Sequence, residues 1–298
     1  MEFSRARDKV VVILGPTASG KSRLSIDIAS IFPSEIINSD KIQVYKGLDI
    51  TSNKISLEEQ LGIPHHLLGN IDSSSSLDEI STSQYRSWAS LLISEINNRG
   101  NIPIVVGGSN SFVYSLLAKQ FNPNVDVFSK SSQGCFELKY DCCFLWVYVS
   151  PPILNKYIDK RVNDMLEKGM LNELAEFHRS ERMGMHQPYK GLAKAIGVQE
   201  FEEYFKRYAS EINVLEGDEV QRRMYEEAVK AIKENTCELA RRQAEKINFL
   251  KTKGWNITIL DGTYSLQALL DGSKSWFDTW ETQVLKPSVE IVKSFLKA

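Results

Sequence analysis

The sequence predicts an α/β fold: a parallel sheet flanked by helices, with a smaller helical subdomain. Three observations carry this. First, an apolar run, Val10–Leu14, leads into Gly15-Pro-Thr-Ala-Ser-Gly-Lys-Ser22 and then into Leu24, Ile26, Ile28, Ala29 and Ile31 at helical spacing. Second, Ile102–Val106 leads through Gly107-Gly108-Ser109-Asn110 into another apolar helix, giving a second strand, glycine turn and helix. Third, short apolar strands alternate with helical patterns along the chain, which is how a parallel sheet with crossover helices reads. The stretch from Gly15 to Ser22 is G-x-x-x-x-G-K-S in the strand–loop–helix context a phosphate-binding loop requires, so the sheet is of P-loop NTPase type.

Each element follows from local pattern. Val10–Leu14 is the first strand and Lys21–Ile31 the first helix. Ile36 and Ile37 mark a short second strand that ends at the polar group Asn38-Ser39-Asp40. Pro64–Leu68 reads as a compact loop or edge strand, and Ser73–Ser76 as a flexible connection. From Leu77 the spacing turns helical (Ile80, Tyr85, Trp88, Leu91, Leu92, Ile96) and stops at Gly100. After the strand Ile102–Val106 and the helix Ser111–Leu117, residues 120–134 form a loop. Cys142–Val149 is a central strand, and Pro151-Pro152 opens a helical region. Helices are expected over Leu154–Lys168, Leu171–Arg179, Leu192–Tyr204 and Asp218–Leu250, with interruptions at Gly169 and Met183–Pro188. Trp255–Leu260 is a last strand, and a helix near Ser288–Leu296 closes the chain. The core is expected over 1–153 and 236–298, with the helical subdomain, 154–235, over the site.

The chain has 298 residues, 42% hydrophobic and 25% charged, the composition of a globular protein of one large or two smaller domains. Its net charge of -2 lacks the basic excess with which proteins grip long nucleic acid, which argues against a nucleic-acid substrate. The longest apolar run falls far short of the roughly 20 residues of a membrane span. Met1–Lys9 is too short for a signal peptide. Cys135, Cys142, Cys143 and Cys237 form no C-x-x-C pair, so neither a zinc finger nor a disulfide framework is expected.

The chemistry-bearing residues gather around the glycine loop. Backbone N–H groups of such a loop turn inward on an anion, and the helix N-terminus adds partial positive charge. Lys21 brings a full charge and Ser22 a hydroxyl suited to Mg2+. Ligands of open parallel sheets bind at the carboxyl ends of strands, which places Asp40 beside whatever the loop holds. Ser109 offers a second hydroxyl, or a cap for the helix after it. A phosphoryl-transfer enzyme usually has an Asp at the end of a second apolar strand. Here Val106 is followed by Gly-Gly-Ser and Val149 by Ser-Pro-Pro, leaving Asp40 as the carboxylate at a strand end near the loop. A small-molecule kinase stays open at this point. His65 and His66 have no partner spacing for a metal and read as loop or packing residues. Gln43 and Tyr45 frame either a pocket or the core.

Taken together, the loop, Asn38-Ser-Asp-Lys-Ile-Gln-Val-Tyr-Lys-Gly-Leu-Asp49, Pro64-His-His-Leu67 and Val106-Gly-Gly-Ser-Asn110 resemble the isopentenyltransferase family, which prenylates the N6 amine of adenine. The resemblance continues through Arg161–Met165, Lys194–Val198 and Asn235–Gln243 and covers nearly the whole chain. One branch of the family modifies adenosine in tRNA; the other prenylates free adenine nucleotides and makes cytokinin precursors in plants. Lys41 after Asp40, Ser109-Asn110, the run from Lys194 and Cys237 are similar to the plant nucleotide branch, and the Cys2His2 tail of eukaryotic tRNA enzymes is missing. The resemblance implies transfer of a dimethylallyl group from dimethylallyl diphosphate to ATP or ADP, with AMP less favoured.

It also implies roles. Gly15, Thr17, Ala18, Ser19, Gly20, Lys21 and Ser22 would cradle the diphosphate, with Mg2+ near Ser22. Ser109 and Arg161 would contact it as it leaves, and Asp40 would orient the amine and take its proton as general base. Lys190, Lys194, Arg222, Arg223, Arg241 and Arg242 are candidates for the acceptor's phosphates, Lys194 and Arg241 foremost. Two residues depart from the plant pattern: Ala193 stands where relatives usually carry Arg, and Tyr148 where they tend to be acidic. A monomer without membrane attachment, in plastid or cytoplasm, is expected. tRNA dimethylallyl transfer is the same-family alternative.

Overall fold

The computed structural model describes residues 7–72, 79–129, 134–182, 190–208 and 218–298. The serine run at 73–76 and the segment 183–188 lie outside the described residues. Six parallel strands form the sheet in the order β3-β2-β4-β1-β5-β6: β1 (Lys9–Leu14), β2 (Ser34–Asn38), β3 (His65–His66), β4 (Ile102–Val106), β5 (Asp141–Tyr148) and β6 (Ile257–Asp261). β1 lies at the centre, with Val12 in register with Val105 on one side and Phe144 on the other. Its unbroken apolar run follows from this position, since both faces of a doubly covered parallel sheet are buried.

Alternate residues of β1 serve two cores. Val10, Val12 and Leu14 face a large core shared with α2 (Thr82–Asn98), α3 (Asn110–Leu117), α4 (Pro151–Glu167), α5 (Met170–Arg182) and α7 (Glu219–Thr252). Val11 and Ile13 face a smaller core with α1 (Lys21–Ala29) and α10 (Lys286–Lys297). α7 is 34 residues long, about 50 Å at the α-helical rise. It begins where the side chain of Asp218 accepts from Gln221 N, and it runs unbroken past residues 235 and 236. Side chains of the helical stretch, among them Leu174, Phe201 and Ile232, pack into the same apolar core as the sheet.

The helix expected over Leu192–Tyr204 is instead a short 3-10 turn, Gly191–Lys194, then turns, then α6 (Glu202–Tyr208). Gly197 (φ +111°), inside that span, adopts left-handed backbone, which interrupts helical winding. The C-terminal region holds more helix than the apolar spacing indicates. α8 (Thr263–Leu270) follows β6, and α9 (Trp276–Trp280) passes through a π turn, Glu281–Leu285, into α10. Pro287 stands just after that turn and has no N–H to give to it.

Candidate active site

β1 delivers the glycine loop to the middle of the sheet's carboxyl edge. The loop needs its glycines for close approach. A Cβ on Gly15 would stand 2.6 Å from Ser19 Oγ and 2.7 Å from Val147 O, and one on Gly20 would stand 2.8 Å from the Trp280 ring. α1 starts at Lys21 with no side chain capping it, so its first N–H groups are free for an anion. Lys21 is buried and its Nζ donates to Pro16 O at 2.7 Å. Burial pushes its pKa down to about 7, against the pull of Asp40 and helped by the neighbouring charge of Arg161.

Arg161, from α4, donates from Nη2 to Thr17 Oγ1 at 2.8 Å. Its burial likewise disfavours the charged form. Arg161 Nε and Ser19 Oγ are buried without a hydrogen-bond partner. Among the described residues, neither Lys21 nor Arg161 has a carboxylate in salt-bridge range. Asp40 lies two residues beyond β2. Its Oδ1 accepts from Ile42 N (2.9 Å) and Gln43 N (3.3 Å), which fixes the turn. The turn after β4 passes closely: a Cβ on Gly107 would meet Ser39 O at 2.6 Å, and one on Gly108 would lie 3.1 Å from Asp40 Oδ2.

These groups share one cavity of about 740 Å³. Thr17, Ala18, Ser19, Gly20, Lys21, Ser22, Asp40, Arg161 and Lys194 all line it, with Gln43, Gly107 and Gly108. Ile42, Val162, Met165 and Ile232 supply apolar wall. Gly15 shapes the loop from beneath. Ser109 does not line the cavity; its hydroxyl accepts from Phe112 N at 3.3 Å and caps α3. Arg241 is also outside the lining and pairs with Glu238 and Glu245 along the exposed face of α7. Arg242 bonds Glu238, and Lys190, Arg222 and Arg223 are not lining residues either. Lys194 pairs with Glu79 at the cavity wall.

Tyr45 is a core residue whose hydroxyl accepts from Ile80 N. His66 meets Glu35 away from the cavity. Ala193 is buried, and Tyr148 stands edge-on to Trp146. Among the described residues no group of three or more His, Cys, Asp and Glu could hold a metal by itself. Beside the loop, Ser22 brings a hydroxyl and Asp40 a carboxylate to the cavity, whose lining also holds the carboxylates of Glu59, Glu79 and Asp164. A hydroxyl with a nearby carboxylate suits Mg2+, which keeps waters and shares its coordination with substrate phosphates.

Gln243 escapes the sequence reading. Its Oε1 accepts from Thr17 N at 2.6 Å, its Nε2 donates to Gly108 O at 3.0 Å, and its main-chain oxygen accepts from Asn110 Nδ2 at 3.1 Å. The signal was present. Gln243 falls on the buried stripe Thr236, Ala240, Gln243, Ile247, Leu250, where an uncharged amide needs a partner. Trp276 and Trp280 were missed too; they wall the cavity beside the loop.

With this geometry in view, the relatives are informative. The family model described as IPP transferase matches residues 43–133 and 123–248. The chain is 48% identical to adenylate isopentenyltransferase 1, chloroplastic, of Arabidopsis thaliana, over 99% of this chain and 84% of that protein. It is 49% identical to adenylate isopentenyltransferase of Humulus lupulus, over 95% of this chain and 89% of the other. A solved eukaryotic dimethylallyltransferase acting on tRNA superposes with a TM-score of 0.78 at 26% identity, over 97% of this chain and 80% of that one. A tRNA isopentenylpyrophosphate transferase from Staphylococcus epidermidis gives 0.68 at 26% identity, over 89% and 97%. A phosphate loop facing a strand-end carboxylate, on a chain matched at this identity over nearly its whole length, places the protein in the IPP transferase family as a prenyltransferase.

Proposed function

We propose that this enzyme transfers a dimethylallyl group from dimethylallyl diphosphate to N6 of the adenine of ATP or ADP, ahead of AMP, the first step of cytokinin formation. The N–H groups of Ala18 and of Gly20 to Ser22, with the side chains of Lys21 and Arg161, hold the donor's diphosphate. Bound Mg2+, held by Ser22 and the phosphates, would neutralise charge on the leaving diphosphate. The C1–O bond of the donor breaks with its electron pair going to the diphosphate, and a C1–N6 bond forms. The N6 amine is a weak nucleophile because its lone pair is shared with the ring. Asp40 orients it and takes the proton it loses. Lys194, at the cavity wall, is placed for the acceptor's phosphates. No phosphoryl group moves.

One observation supports this reading above the others: two basic side chains without carboxylate partners in salt-bridge range, the buried Lys21 and the half-buried Arg161, share a cavity with Asp40. The highly anionic diphosphate leaving group would complete the cations, and an amine would meet the base. Relatives between 39% and 48% identity are named adenylate isopentenyltransferases, some of them chloroplastic and one mitochondrial, which also supports an organellar enzyme. The likeness to a tRNA-acting enzyme favours a second reading, prenylation of tRNA. Mass analysis of products decides between them, after mixing protein, Mg2+ and dimethylallyl diphosphate with ATP, ADP, AMP or bulk tRNA. Prenylated ATP and ADP are expected; product in tRNA alone would reverse the assignment. Phosphate transfer from ATP without the prenyl donor would point to a kinase.

A further inference from the structure

We propose that Gln243 is a positioning residue that fixes the spacing between the phosphate loop and Asp40. The proposal rests on the transferase reading above. The amide of Gln243 is used at both ends, and its two partners belong to two different loops that line the cavity, those after the neighbouring strands β1 and β4. Oε1 takes the N–H of Thr17, and Nε2 gives to the carbonyl of Gly108. Gly108 is the residue pressed against Asp40, where even a Cβ would come within 3.1 Å of Oδ2. Thr17 in turn holds Arg161 through its hydroxyl. The chain of contacts therefore runs from Arg161 through Thr17 and Gln243 to Gly108 and Asp40. The main-chain carbonyl of Gln243 adds a bond to Asn110, which ties α7 to the start of α3.

The same contacts delimit the anion cradle. Pro16 has no N–H, and that of Thr17 is taken by Gln243. The N–H of Ser19 reaches Pro16 O at 3.3 Å, so an anion in the loop is left chiefly with the N–H groups of Ala18 and of Gly20 onward. Gln243 is 7% exposed, and its amide is bonded at both ends. A side chain that both accepts and donates at this length is needed. Leu does neither, and ionised Glu accepts but cannot donate.

The test uses Gln243→Leu and Gln243→Glu in the full chain. It reads kcat and KM for both substrates, binding of inorganic diphosphate by calorimetry, and melting temperature. If Gln243 positions, Gln243→Leu lowers kcat by about 100-fold while diphosphate affinity stays within about threefold, because a shift on the order of 1 Å harms the reaction more than binding. In Gln243→Glu, a protonated carboxyl restores the donor to Gly108. Its activity relative to wild type at the same pH should therefore rise as pH falls. Lys21, Arg23, Asp40, Lys41, Glu59, Glu79, Tyr157, Arg161, Asp164, Lys168 and Lys194 face the same cavity in both proteins, and taking the ratio cancels what they contribute in common. A kcat of Gln243→Leu within about threefold of wild type would overturn the proposal, as would an equal loss of diphosphate affinity. If Gln243→Leu does not fold, the Gln243→Glu ratio decides, and a ratio flat in pH rejects the role. Wild-type product is measured first. Its absence sinks the transferase reading and this one with it, whereas active wild type with indifferent variants sinks only Gln243.

Discussion

The two ends of β2 each carry a carboxylate, and the protein treats them in opposite ways. Glu35, near the start of the strand, accepts from Arg99 through Nε (2.9 Å) and Nη2 (2.8 Å), from Asn101 Nδ2 (2.9 Å), and meets His66 Nε2 at 2.7 Å. These bonds, Arg99's foremost, hold its carboxyl down to about 2. Its partners come from β3, from the end of α2 and from the residue before β4, so the cluster ties the sheet's edge together. Asp40, just past the other end, is bonded by backbone amides, while Lys21 and Arg161 share its cavity without a salt bridge. Charge matched within the protein is architecture. Buried charge left unmatched is a site, because a ligand completes it.

That contrast can be broken by mutation. Asp40→Asn has the largest expected effect. The Asn oxygen still accepts from Ile42 and Gln43, so the turn is kept and only the base is lost. Prenyl transfer should fall by about 10²–10⁴-fold, the usual worth of a general base. Diphosphate binding and melting temperature should hardly change. If diphosphate affinity fell as far as the rate, Asp40 would be a binding group and the contrast would be misplaced. Glu35→Gln is the counterpart and smaller. It should cost about 2 kcal/mol of stability through weakened charged hydrogen bonds, with kcat per folded molecule unchanged. Because the folded pKa of Glu35 is depressed from 4.5 to about 2, its contribution is complete above pH 4.5 and lost as pH falls through 2. Acid unfolding curves of wild type and variant should therefore converge across that window. Curves that stay parallel would show that the ion cluster is not what Glu35 contributes.

How much of this was legible in the sequence depended on range. Strands and the loop were legible because their signals are local. Ile102–Val106 stands where the apolar run placed it, and α7 begins one residue after its capping Asp218. The grouping of Lys21, Asp40 and Arg161 was readable from strand-end position and from the family's motifs. What the sequence hid was partnership. Nothing local distinguishes Lys194, which reaches the cavity wall, from Arg241, which pairs along its own helix with residues three before and four after it. Ser109 has a hydroxyl useful to a ligand or a helix, and only the backbone path shows it capping α3. Gln243 needed α7 to be laid against the loop 226 positions away in sequence. The left-handed glycine at 197 interrupts a helix that apolar spacing alone would continue.

The smallest expected effect bears most directly on the unmatched end. Burial holds the Lys21 ammonium at about 7, so at pH 8 the free enzyme carries it mostly neutral. A diphosphate brings opposite charge against it and pulls its pKa back up. The bound state then holds more protons than the free state, so raising the pH opposes binding. Above pH 7, affinity for inorganic diphosphate should fall by up to about tenfold per pH unit, and binding at pH 8 should take up close to one proton. Calorimetry in buffers of different ionisation enthalpy measures that uptake. The titration of diphosphate itself is common to wild type and Lys21→Met, so the difference between them reports on Lys21. Equal proton uptake by the two proteins would mean that Lys21 is already charged before the anion arrives. The loop end of the sheet would then hold a standing positive charge with no carboxylate in salt-bridge range, and the diphosphate would complete that charge without taking up a proton at Lys21.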